Sequence, residues 1–259
     1  FNTVSTVYAD ETAAGADPNA TTHASNDTPD PEAADPNEVS DDASDDTFSP
    51  RISTLVEIRR AYQNILTPDL IADDGTVDYS TLRRKRHDLI RAEKGLKDLN
   101  PAVLMMVLSA REEKIAFWIN TYNVCTLKLV IDHYPIEPKL YMIFYPDNSI
   151  MQISGNWRTK YFFEIQGLEY NLREIEEDFL LDRYEDPRII FALSYASKSG
   201  ALLRNEPYTA ETLDAQLDEQ VHRYLAPPEG LRIDKRDNVV YLSNLFAMLG
   251  HRQRFLESE

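Results

Sequence analysis

The chain has 259 residues, with 44 Asp plus Glu, 27 Lys plus Arg and one cysteine. That length allows one substantial domain or two small ones, and a lone cysteine excludes an intrachain disulfide. The net charge of −17, with no stretch read as a basic patch, argues against a nucleic-acid partner.

The acidity is concentrated at one end. Residues 1–50 hold 12 acidic groups and no Lys or Arg, which leaves 32 acidic and 27 basic groups on residues 51–259. The first segment is rich in Ala, Asp, Thr, Ser, Asn and Pro. It has too little apolar surface to offset its chain entropy and is expected to be disordered. A coil of that length reaches about 40 Å, as a solvated spacer or as an acidic arm for a protein partner. Within residues 1–9, Val7 and Ala9 fit the small-residue end of a secretory signal, so a periplasmic or secreted location is expected. No apolar run is long enough for a membrane span.

The folded part, 51–259, opens with Ser53 as a cap and Leu55, Ile58, Ala61, Tyr62 and Ile65 at helical spacing, closed by Pro68. Gly75 to Tyr79 make a turn and a short extended piece. Ser80 is expected to cap a second helix running through Lys94. Asn100-Pro101 opens a third, with Pro in the first turn, and Ile115 to Ile131 forms a fourth that is apolar almost all round, the mark of a core helix. Beyond Pro146, Ile150–Ile153 and Tyr161–Ile165 read as short strands, with turns at Gly155 and Gly167. Asn171 caps a helix to about Tyr184, and Arg188–Leu193 reads as a buried strand. Thr209 starts a helix with Leu213, Leu217, Val221, Tyr224 and Leu225 on one face. Leu231–Ile233 and Val239–Leu242 pair as strands, and Ser243 caps the last helix. The fold class is α+β: a helix-rich domain with a small, mainly antiparallel sheet.

Asn120 and Asn123 lie three apart in the apolar helix and share one face. A buried amide left without partners costs about 1–3 kcal/mol. The pair therefore ties down a loop or lines a site.

The run "AFWINTYNVCTLKLVIDHYP" and the later "DPRIIFALSYASKSGALLRNEPYTAETLDAQLDEQ" with "VVYLSNLF" resemble the domain-of-unknown-function family 547 over residues 54–257. What the resemblance implies about function is thin. Many members read "RIHFALNCASKSCP" where this chain reads "RIIFALSYASKSGA", so their His falls at Ile190 and their two Cys at Tyr195 and Gly200. The thiol chemistry those residues imply is lost here.

What remains in that loop is Ser197, Lys198 and Ser199. A Ser–Lys pair works as nucleophile and base only if the Lys sheds its proton, and neighbours in an extended loop point apart. No catalytic residue is assigned. Cys125 lies inside the apolar helix as a small hydrophobe. His133 matches the family's "HYP" at a helix C-terminus, a place that favours a cationic ring. His87 and His222 fall on charged stretches. No His or Cys spacing suits a metal, and no glycine-rich loop suits a phosphate cofactor, so neither is expected. Asp214 and Asp218 read as a solvated face. Arg188 and Arg204 read as ion-pair partners of Asp186 and Glu206.

The sequence thus points to an exported binding or interaction domain of unknown ligand. Its expected ligand-binding residues are Trp118, Asn120, Tyr122, Asn123, His133, Tyr195, Lys198, Ser199 and Tyr208. A hydrolase with an unrecognised nucleophile and an accessory subunit of an envelope assembly are the alternatives.

Overall fold

In the computed structural model the described residues are 49–153, 156–197, 200–226, 231–242 and 244–246. The acidic arm with Val7 and Ala9, the turn at Gly155, Lys198, Ser199 and Ser243 lie outside them; of the helix expected after Ser243, Asn244–Phe246 is described and is a 3-10 turn.

Helix α5 (Arg111–His133) is the axis of the domain. Its apolar circumference is buried on nearly every side, from Ile115 to Ile131. Its start is fixed by Glu113, whose carboxylate accepts the Ala110 backbone N–H at 2.8 Å. Helices α2 (Tyr79–Arg84) and α3 (His87–Asp98), and α7 (Leu172–Glu176) with the π turn that follows it, all pack on α5. Helix α1 (Ser49–Ile65) lies against α3. Gly95 permits that approach, because a Cβ there would clash with Ile58 Cγ1.

The break between α2 and α3 differs from the single helix expected from Ser80 to Lys94. Asp78, not Ser80, caps α2 by accepting the Thr81 N–H at 3.0 Å, and the chain turns at Lys85-Arg86 before α3 begins. Helix α4 (Pro101–Val107) starts as expected, with the Asn100 side chain accepting from Ala102 N.

Two expected strands are helical turns. Ile150–Gln152 is a 3-10 turn capped by Ser149, whose hydroxyl accepts the Met151 N–H. Pro187–Phe191 is another, with Asp186 accepting from Arg188 N and Pro187 in the first turn. Short apolar runs carry no period that separates a buried strand from a buried turn. The cap in front of each decides it.

Strands β1 (Phe162–Ile165) and β2 (Leu168–Asn171), preceded by the short helix α6 (Trp157–Lys160), pair antiparallel with Phe163 opposite Tyr170. Gln166 and Gly167 both take positive φ between them, the geometry of a two-residue hairpin loop. The Gln166 N–H donates to the Leu96 carbonyl, which ties the hairpin to α3. Asn171 caps α7, and the chain continues through the π turn Glu177–Leu181 into α8 (Asp182–Tyr184). Helix α9 (Leu213–Leu225) starts four residues later than Thr209, because residues 209–212 form a turn held by the Thr209 and Thr212 hydroxyls. A second antiparallel hairpin, β3 (Leu231–Asp234) with β4 (Val239–Leu242), pairs as expected. The domain is helix-rich with two separate small antiparallel hairpins. Among the described residues no helix is long and apolar enough to cross a membrane.

Candidate functional site

Asn120 and Asn123 act as two backbone clamps. Asn120 donates from Nδ2 to the Tyr208 carbonyl at 2.8 Å and accepts the Tyr208 N–H at 3.0 Å. Asn123 donates to the Ala192 carbonyl at 3.0 Å and accepts the Ser194 N–H at 2.7 Å. Each side chain thus pairs with a distant loop as a neighbouring strand would. Asn123 is 0% exposed, whereas Asn120 is half-buried. The Tyr62 hydroxyl has its ionisation pushed well above the usual range by burial, partly offset by a hydrogen bond with Asn123.

The Tyr208 clamp builds one wall of a cleft. Gln216, from α9, holds the same segment from the other side. Its amide accepts from Thr209 N at 3.1 Å and donates to the Pro207 carbonyl at 3.0 Å. Between this braced loop and helices α1, α4 and α5 lies a cavity of about 270 Å³. Its floor and walls are mostly apolar, with Leu55, Ile58, Val107, Ala116, Phe117 and Val124 among them, and Arg59, Glu113 and Glu211 add charge. Hydrogen bonds from its own backbone N–H and from Thr209 hold the Glu211 carboxyl below its usual range, with a smaller pull from Arg59. Thr121 and Tyr208 also line the cleft, and both hydroxyls are buried with no hydrogen-bond partner among the described residues.

The remaining expected residues separate. Tyr122 and Tyr195 converge on Glu176, at the end of α7: Tyr195 donates to Oε1 at 2.8 Å and Tyr122 to Oε2 at 3.3 Å. Arg158, from α6, donates to Oε2 at 2.6 Å. Burial raises the Glu176 carboxyl, against the pull of Arg158 and Tyr195. Burial alone would lower Arg158, but Glu176 and the two tyrosines hold it above its usual value. This network is closed to solvent and is a core device, so Tyr122 and Tyr195 do not line the cleft. Trp118 packs edge-on to Phe117 and Tyr170 and against Phe179. His133 bonds the Leu129 carbonyl of its own helix at 2.9 Å and meets the edge of Tyr161. Of the seven expected residues that are described, Asn120 and Tyr208 belong to the cleft.

Cys125 is buried and its thiol is pushed far above the usual range by desolvation. Arg188 binds Asp186 as expected, and also Asp214 and Asp218 at 2.9 and 2.6 Å, so the solvated face of α9 also carries ion pairs. At the α2–α3 corner Arg83, Arg84, Arg86 and His87 line one depression.

Residues 106–225 match the model of a family described as "Protein of unknown function, DUF547". The resemblance is thereby shown over the span from the end of α4 to the end of α9, which holds both Asn clamps, Glu176, Tyr195 and Tyr208. No curated protein and no solved structure matches the chain.

Proposed function

We propose that this is a binding domain whose ligand site is the cleft between α1, α4, α5 and the 207–211 loop. Its ligand is a small amphipathic molecule with an apolar body and one hydrogen-bonding group. The observation that carries this is a mostly apolar cleft whose lining residues include Thr121 and Tyr208, the buried hydroxyls of which have no hydrogen-bond partner among the described residues. Burying a polar group without a partner costs about 1–3 kcal/mol. A ligand that offers a donor or acceptor recovers part of that cost and buries its apolar part as well. The volume sits just below the roughly 300–1,000 Å³ of ligand clefts, which suits a short chain rather than a large cofactor. The wall is braced in advance by Asn120 and Gln216, so little ordering entropy opposes binding. The burial of Cys125, and Tyr195 with Gly200 where relatives carry Cys, support a role without thiol chemistry.

Calorimetric titration with octanol, decanol and decanoate tests this. Saturable binding is expected, abolished by Ala116→Phe, which fills the cleft. Thr121→Val and Tyr208→Phe should each weaken decanol by about 2–10-fold. No saturable heat, or binding unchanged in a folded Ala116→Phe variant, contradicts the proposal.

A further inference from the structure

The loop between α5 and α6 wears its apolar side chains on the outside. Leu140, Ile143 and Phe144 are 94%, 72% and 91% exposed. The loop is nevertheless firmly held. Gln152, buried beneath it, donates to the Met142 and Tyr145 carbonyls at 3.0 Å each and accepts the Lys139 N–H at 2.9 Å. Single exposed apolar residues are ordinary, but three within five residues on a braced loop form a patch that marks an interaction site.

A second feature is the turn between α2 and α3. Arg83, Arg84, Lys85 and Arg86 are consecutive and exposed. Arg84 bonds the hydroxyls of Ser80 and Thr81 rather than a carboxylate. The adjacent carboxylate, Asp88, is already engaged by His87 and Arg91. Ile90, 46% exposed, lies among these cations in the same depression. The two features share a root: the rings of Tyr79, which starts α2, and Tyr134, which precedes the loop, have centroids 6.4 Å apart. Arg83 and Arg84 follow within about 8 Å along the α2 axis.

We propose that this end of the molecule docks on the anionic surface of a lipid bilayer, with the cationic corner against the phosphates and Leu140, Ile143 and Phe144 in the interfacial layer. Arginines pair well with phosphate oxygens. A chain of net charge −17 is repelled overall by an anionic surface, so a local cluster of cations would set the orientation of docking. Neither signal suffices alone, and weak apolar insertion plus a polybasic patch is the combination that gives stable peripheral binding. An acidic protein or a nucleic acid would use the cations but would leave Phe144 without a role. The proposal is independent of the cleft.

The test is co-sedimentation of the full chain with vesicles of phosphatidylcholine alone and of phosphatidylcholine with phosphatidylglycerol, at low and high salt. Binding is expected only with phosphatidylglycerol and is lost at high salt. The pair Arg83→Glu/Arg86→Glu should reduce it by at least about tenfold, and Ile143→Ser/Phe144→Ser by about fivefold or more. All four side chains are exposed, and unchanged melting confirms that both variants fold. Absence of vesicle binding, equal binding by wild type and both variants, or capture of a DNA duplex or polyglutamate in place of vesicles would overturn the proposal.

Discussion

Tyr195 donates its hydroxyl to Glu176 Oε1 at 2.8 Å, joining the loop after the Pro187–Phe191 turn to the end of α7 through a carboxylate that is 0% exposed. The Tyr195 side chain is therefore part of a buried charge network. The partner cation is Arg158, itself buried.

Breaking one side of this pair is expected to cost more than removing both. Arg158→Leu leaves Glu176 uncompensated and should cost about 3–5 kcal/mol. The double change Arg158→Leu/Glu176→Leu should recover part of that. Tyr195→Phe removes one donor and should cost about 1–3 kcal/mol. Urea denaturation of the three variants provides the comparison, and a double variant less stable than Arg158→Leu would contradict it.

The two Asn clamps are expected to differ. Asn123→Leu orphans the Ala192 carbonyl and the Ser194 N–H in a dry interior and should cost at least about 2 kcal/mol. Asn120→Leu orphans Tyr208 groups beside a cleft that water can enter, so its cost should be smaller. Melting curves of the two variants give the order directly.

Position 200 lies beside Tyr195. A Cβ built on Gly200 falls 3.1 Å from Tyr195 Cβ, slightly inside the roughly 3.5–4.5 Å of disulfides. The double change Tyr195→Cys/Gly200→Cys is expected to oxidise to a disulfide after a small adjustment. Alkylation followed by mass spectrometry should find that pair blocked. Two freely alkylated thiols at these positions would show that the loop cannot bring them together.

Acid stability has a defined sign. Partial burial raises the Asp186 carboxyl, but its hydrogen bonds with Arg188 bring it below the usual range, and Arg204 does the same for Glu206. In acid the unfolded chain therefore takes up protons that the folded protein refuses. This stabilisation is complete above the unfolded value of about 4 and is lost as pH falls through the lower folded values. Glu176 carries the opposite sign: its raised value favours the fold below about pH 4 and that term fades as pH rises. Asp186→Asn should lower stability at neutral pH and flatten its decline in acid, read as melting temperature against pH.

How much of this was legible in the sequence follows from particular residues. The core role of α5 was evident because its apolar residues leave no polar face, and Asn120 and Asn123 stood out against them. The turns at Ile150–Gln152 and Pro187–Phe191 are hard to tell from strands because short apolar runs look alike, yet Asp186-Pro187 is a readable helix start. Glu176 was hidden in the run Glu176-Glu177-Asp178. Counting from the Asn171 cap, though, it lies one turn beyond buried Leu172 and beside Ile175, on the inner face. The basic corner was diluted by an overall acidic count. The cleft could not be read, since it exists only where α1 meets a loop near residue 208.

The central claim, that the cleft under the 207–211 loop binds an amphipathic molecule, is tested most directly by methyl NMR during titration with decanol. The account predicts saturable shifts of the Leu55, Ile58, Val107 and Val124 methyls, with those of Leu140 and Ile143 unmoved. Shifts confined to Leu140 and Ile143, or no saturable shift at the cleft methyls, would contradict it.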